Sequence, residues 1–98
     1  MQQHIQTMLR RLVEAMTAHD EWARTVTLKV RYADFQTVTR SHTLPQRTRS
    51  TEVLAPICRD LLADTEAGTR PVRLLGVGLT HPDGDRDPLQ LVLPLDPP

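Results

Sequence analysis

Thr25, Thr27, Lys29 and Arg31 alternate with Val26, Leu28, Val30 and Tyr32, so one side of an extended segment carries only hydroxyls and cations. Such a row places donors and positive charge at the spacing of a strand, which suits phosphate oxygens and offers nothing that reads bases. A second segment repeats the chemistry with Thr37, Thr39, Arg40, Ser41, His42 and Thr43, and Arg47 and Arg49 extend it. Either row alone would read as a threonine-rich strand with cations protecting an edge. Two adjacent rows of one polarity point instead to an anionic ligand. From Arg24 to Arg49 there are six basic residues and one acid, Asp34, whereas the rest of the chain carries six basic residues and eleven acids. The formal net charge is zero, so an anion has to be met by this local patch and not by a global field. Gly76 and Gly78, in LLGVGL, add backbone without Cβ that a phosphate can approach closely. A bulge or a closely packed neighbour would account for the same glycines.

Other chemistries lack their residues. There is no convincing pair of carboxylates, nucleophile with its base, or phosphate-cradling loop. The two glycines lie inside a strand pattern and not at a strand-to-helix turn, so they make no dinucleotide fingerprint. Asp83, Asp85 and Asp87 alternate, but the distal glutamate of a calcium loop does not follow, and the segment reads as a solvated acidic turn. His4, His19, His42 and His81 show no metal-ligand spacing, and Cys58, the one cysteine, has no partner for an internal disulfide. The expectation is a chain without metal or cofactor, with Cys58 a packed thiol on a helix. Trp22, Tyr32 and Phe35 are the only aromatics, too few for a base-stacking platform, so duplex backbone suits the patch better than a single strand. With no apolar run of membrane length and no signal-like start, the expected setting is cytoplasmic, away from membranes.

These rows must be positioned by elements that 98 residues can assemble around one core. Ile5, Met8, Leu9, Leu12, Val13 and Met16 step by three and four, drawing one stripe on a helix that ends near His19 or Asp20. Trp22 follows, covering an end of the core. The first cationic row then forms a half-buried strand, Ala33, Asp34 and Phe35 turn the chain, and a second strand runs from about Gln36 to Leu44. Val38 and Leu44 would put Arg40 and His42 on the core side, which a bulge near Arg40 would correct. Pro45 to Arg49 reads as a basic loop. Ser50 or Thr51 caps a second helix with the stripe Val53, Leu54, Ile57, Leu61 and Leu62, delayed by Pro56 and ended by Gly68. Val72 to Thr80 is a third strand, His81 to Gly84 a turn, and Leu89 to Leu95 a last apolar segment. The composite is an α+β fold, a small mainly antiparallel sheet backed by two helices.

The segments VTLKVRYADFQTVTRSHTL and RPVRLLGVGL, in this order with a helix between them, closely resemble the C-terminal little-finger domain of Y-family, DNA polymerase IV-type translesion polymerases. The resemblance covers about Ala23 to Leu79. It implies a ferredoxin-like sheet with two helices that grips primer-template duplex through its sugar-phosphate backbone, in translesion synthesis and DNA repair. It assigns phosphate contacts to Thr37, Thr39, Arg40, Ser41 and Thr43, with Arg40 foremost. His42 stands where relatives commonly carry a second arginine. The metal-binding carboxylates of the family's palm, and with them Mg²⁺ and catalysis, have no counterpart in these residues, so the parent protein and not this chain would polymerise.

The tail extends the resemblance. Gln90, Leu91, Val92, Leu93, Pro94 and Leu95 look like the sliding-clamp-binding peptide of such polymerases, in which glutamine bonds at the mouth of a clamp pocket and the leucines, Leu91, Leu93 and Leu95, fill it. This divides the chain into a DNA-binding domain over 1–88 and a strand or clamp-binding tail over 89–98. It also leaves an alternative function, a clamp-interaction module whose loss by deletion of Gln90 to Pro98 would spare DNA binding. The family's first strand is missing ahead of the first helix, leaving a central gap beside the third strand. Leu89 to Leu95 is expected to fill it, within a monomer or in a strand-exchanged dimer.

Overall fold

The apolar stripe of the first seventeen-residue helix becomes one wall of the core. A computed structural model describes residues 2–81 and 89–95; the acidic turn with Asp83, Asp85 and Asp87 lies outside them. Helix α1 (Gln2–Ala18) buries Ile5, Met8, Leu9, Leu12 and Met16. Strands β1 (Ala23–Tyr32) and β2 (Thr37–Thr48), helix α2 (Thr51–Ala63), and strands β3 (Val72–Thr80) and β4 (Leu89–Pro94) follow in that order. All pairings are antiparallel and the sheet order is β2-β1-β3-β4. The α+β fold read from the sequence is the one observed.

Alternation decides which face the helices cover. Val26, Leu28, Val30 and Tyr32 of β1 and Leu75, Val77 and Leu79 of β3 are buried in one cluster with α1 and with Leu54 and Cys58 of α2. Transfer of this apolar area from water is the main drive for closing the helices onto the sheet. Leu89, Leu91 and Leu93 of β4 pack against the margin of that cluster. The opposite face of the sheet is left to the hydroxyls and cations of the first row.

Several boundaries differ from the sequence expectation. Helix α2 starts at Thr51 in spite of Pro56, because Pro56 and Glu52 are on an exposed side where the freed helix carbonyl meets water. Ser50 is its N-cap, through its carbonyl, which accepts from the Val53 and Leu54 amides, and not through its hydroxyl. The helix stops at Ala63, ahead of Gly68, where the Thr65 hydroxyl bonds the Leu62 carbonyl at 2.6 Å and competes with further winding. Within the expected stripe Val53 is exposed, and Cys58 takes its place inside. Strand β2 runs through the segment read as a basic loop.

The C-terminal strand pairs within its own chain, but not at the centre. Strand β3 pairs directly with β1 from Thr25↔Thr80 to Tyr32↔Val72, so no gap separates them. Strand β4 instead takes the remaining edge of β3, from Leu79↔Leu89 to Leu74↔Pro94, and the Leu95 amide continues the ladder to the Arg73 carbonyl at 2.7 Å. The slot lies beside β3 as expected, at the margin of the sheet.

Candidate nucleic-acid interface

Strand register sorts the expected phosphate-binding residues onto two faces. On the open face, Thr25 lies beside Thr43 and Thr80, Thr27 beside Ser41 and Gly78, Lys29 beside Thr39 and Gly76, and Arg31 beside Thr37 and Leu74. Strand β4 extends these rows with Gln90 beside Gly78, Val92 beside Gly76 and Pro94 beside Leu74. No acid stands in any of them. Thr25, Thr27, Lys29, Arg31, Thr37, Thr39, Ser41, Thr43, Gly76 and Gly78 are therefore brought together as expected.

Arg40 and His42 are not part of this surface. They lie opposite Leu28 and Val26, on the side of the sheet that carries the helices. The bulge expected near Arg40 is absent, because the Arg40 guanidinium meets Asp64 at 3.0 Å, just past the C-terminus of α2, and needs no change of register to find a partner. A cation at that helix end also complements the helix dipole. The irregularity in β2 falls further on, between Thr43 and Thr48, where Pro45 has no amide to give to the ladder.

The glycines form a floor and not an open patch. Gly76 and Gly78 are themselves buried, at the bottom of a depression of about 140 Å³ lined by Thr27, Lys29, Thr39, Thr80, Gln90 and Val92. Pairing is regular through both glycines, which excludes a bulge there. A Cβ on Gly76 would lie 3.5 Å from the Lys29 Cβ and 3.6 Å from the Leu91 carbonyl oxygen, and one on Gly78 would lie 3.4 Å from the Gln90 Cγ. These are ordinary contacts, so the chain's own packing does not demand glycine at either site.

Side-chain bonds leave most donors of this face unspent. The Thr25 and Thr43 hydroxyls share a hydrogen bond at 3.0 Å, and Arg31 Nε donates to the Thr37 hydroxyl at 3.1 Å. Among the described residues, no hydrogen bond or ion pair engages the side chains of Thr27, Lys29, Thr39, Ser41, Thr80 or Gln90, although the Thr39 carbonyl accepts from Arg40 Nη1 at 3.1 Å. Thr80 and Gln90 were not assigned to DNA from the sequence. Thr80 continues the two-residue spacing of Gly76 and Gly78, a legible signal, whereas the position of Gln90 depends on the long-range pairing of β4.

Cations at the sheet ends are held by aromatic rings. Arg47 and Arg49 lie 4.7 Å and 4.1 Å from the centre of the Trp22 ring, and Arg49 also meets Asp20 at 3.2 Å. At the other end Arg70 lies over Tyr32 and bonds Asp34, Glu66 and Gln36; the Glu66 bond, ahead of the charge of Asp34, holds its pKa above the usual arginine value. Burial pushes the Cys58 thiol up to about 12, which keeps it protonated and unreactive, as expected for a packed thiol.

The tail residues are placed in the sheet. Leu91 and Leu93 of the clamp-like segment turn toward the core, Gln90 turns to the open face, and Leu95, whose amide makes the last ladder bond, also packs against the core. Among the described residues no helix is long and apolar enough to cross a membrane.

Residues 1–93 match the sequence profile of the impB/mucB/samB family C-terminal domain. The chain is 42% identical over 78 residues to DNA polymerase IV of Halorhodospira halophila, covering 80% of this chain and 22% of that protein. It is 33% identical over 76 residues to DNA polymerase IV of Bacteroides fragilis, which covers 78% of this chain and 21% of that protein. With DNA polymerase IV of Streptococcus pyogenes serotype M1 it shares 34% identity over 73 residues, 74% of this chain and 20% of that one. The chain thus spans about a fifth of the length of the curated relatives it matches. Profile, relatives and a two-helix, four-stranded antiparallel fold agree: this chain belongs to the impB/mucB/samB C-terminal domain family, the little-finger domain of Y-family, DNA polymerase IV-like polymerases.

Proposed function

We propose that the chain binds duplex DNA through the sugar-phosphate backbone, without sequence preference, using the open face of its sheet. The observation that carries this reading is that face itself: four rows with hydroxyls, Lys29 and Arg31, no acid, and a depression floored by Gly76 and Gly78. Hydroxyl and cationic donors at strand spacing fit phosphate oxygens, which carry no sequence information, and both described helices pack on the opposite face of the sheet, away from this ligand. The identity to DNA polymerase IV proteins supports primer-template DNA as the duplex, in translesion synthesis and repair. Nucleotide addition, with its Mg²⁺, is assigned to a separate catalytic part of such a protein.

Two cations on the face set the expected salt dependence. Each phosphate neutralised contributes about −0.9 to the slope of log K against log salt, so the slope should be about −2. Fluorescence anisotropy with a labelled duplex, at several salt concentrations, measures it. The doubly reversed Lys29→Glu, Arg31→Glu chain should lose binding with its fold intact by circular dichroism, while Arg40→Ala should bind as the parent does. Unchanged affinity in the double reversal, or a slope near zero, would overturn the reading. Sliding-clamp binding through Gln90 to Leu95 would require β4 to leave the sheet, since Leu91 and Leu93 pack against the core.

A further inference from the structure

The depression over the two glycines has one wall that comes from the C-terminal strand. Gln90 and Val92 stand directly beside Gly78 and Gly76 on β4, and Thr27 and Lys29 flank the same glycines from β1. Its volume of about 140 Å³ far exceeds the ~10–15 Å³ that a single water requires. Its polar rim is made of groups that donate: the Lys29 ammonium, the Thr27, Thr39 and Thr80 hydroxyls and the Gln90 amide. No carboxylate lines it, and none of these side chains has its donors engaged by another described residue. One cation and four neutral donor groups around a glycine floor form a seat for an oxyanion. The Gln90 Cγ lies 3.4 Å from where a Cβ on Gly78 would be, so its terminal amide is tethered at the rim.

We propose that β4 completes this seat, with the Gln90 side-chain amide donating to an oxygen of a backbone phosphodiester held between Gln90 and Lys29 above Gly76 and Gly78. This rests on the DNA-binding reading and deepens it: Gln90, which the sequence associates with a protein-binding tail, becomes a DNA-contacting residue. Val92, 51% exposed next to the seat, offers apolar surface to the adjoining sugar. The tail is then part of the DNA-binding surface and not an appendage to it.

The test compares Gln90→Leu, Gln90→Glu and Lys29→Glu in the full chain, by duplex anisotropy at about 50 mM salt and by thermal melting. Losing a bond to a charged group should weaken binding about tenfold in Gln90→Leu, and an added carboxylate should weaken it further in Gln90→Glu. Because Gln90 is exposed on a strand and makes no described side-chain bond, both variants should melt with the parent. In a nitrogen-proton correlation spectrum the Gln90 side-chain NH₂ resonances should move on addition of duplex. Parent-like affinity of both Gln90 variants, with binding lost in Lys29→Glu, would overturn the role of β4 and leave the DNA reading standing. Parent-like affinity in all three would overturn the phosphate seat altogether. Movement of the Gln90 resonances with inorganic phosphate but not with duplex would also overturn the proposal, by identifying a free-anion site.

Discussion

Gly76 shows how a residue can be chosen for what it leaves empty. A side chain there would meet Lys29, Leu91 and Val92 at ordinary contact distances, and strand glycines cost backbone entropy. Gly76→Ala should therefore leave the protein as stable or more stable, by up to about 0.5–1 kcal/mol. It should also weaken duplex binding, because the new methyl group points into the depression. Thermal melting and anisotropy on one sample separate the two effects; a variant that binds as tightly as the parent would remove the glycines from the interface. Arg40 teaches the complementary lesson. The alternation of Val38 and Leu44 already put its side chain on the core side, and only the added bulge moved it off, because a single step of register exchanges the two sides of a strand. What settled it was Asp64, twenty-four residues away, which gives the guanidinium a partner on the helix side.

Among the described elements, the turn between β1 and β2 is tied to the rest of the fold by several side chains. The Tyr32 ring is buried beneath Arg70, its hydroxyl accepts the Glu66 amide at 2.8 Å, and Arg70 reaches back to Asp34 at 2.6 Å and Glu66 at 2.8 Å. This fastens the segment after α2 to the hairpin that carries Lys29 and Arg31. Tyr32→Phe keeps the ring and strands the Glu66 amide, so denaturant unfolding should show a loss of about 1 kcal/mol. A change well below that would mean that water replaces the hydroxyl. Local patterning made α1, β1 and β3 readable from the sequence, since their apolar periods are unbroken. Strand β2 was cut short because Pro45 and the charged residues after it imitate a loop, whereas the bulge lets pairing resume at Thr48. That β4 lies beside β3 was legible, but its place at the margin and not at the centre was not, because strand order depends on pairings far apart in sequence.

At the scale of the whole molecule, the sheet separates cohesion from recognition, one face carrying helices and the other rows of donors. Strand β4 belongs to both, since Leu89, Leu91 and Leu93 pack inward while Gln90 and Val92 line the open side. Deleting residues 89–98 should therefore lower the melting temperature and the duplex affinity together, contrary to the sequence-based expectation that DNA binding survives. The half-buried leucines should contribute about 1–2 kcal/mol each, below the 2–5 kcal/mol of a fully buried one. Calorimetry and anisotropy on the truncated chain check the coupling, and unchanged affinity would return the tail to an independent role.

Trp22 is the only tryptophan in the chain, and two guanidinium groups lie over its ring where α1 hands over to β1 and β2 ends. The domain therefore carries a built-in optical gauge: indole emission depends on what touches the ring, so the state of that corner can be followed without attaching a dye. Anything that draws Arg47 or Arg49 away, whether unfolding or a polyanion laid along the end of the sheet, changes the light the protein emits.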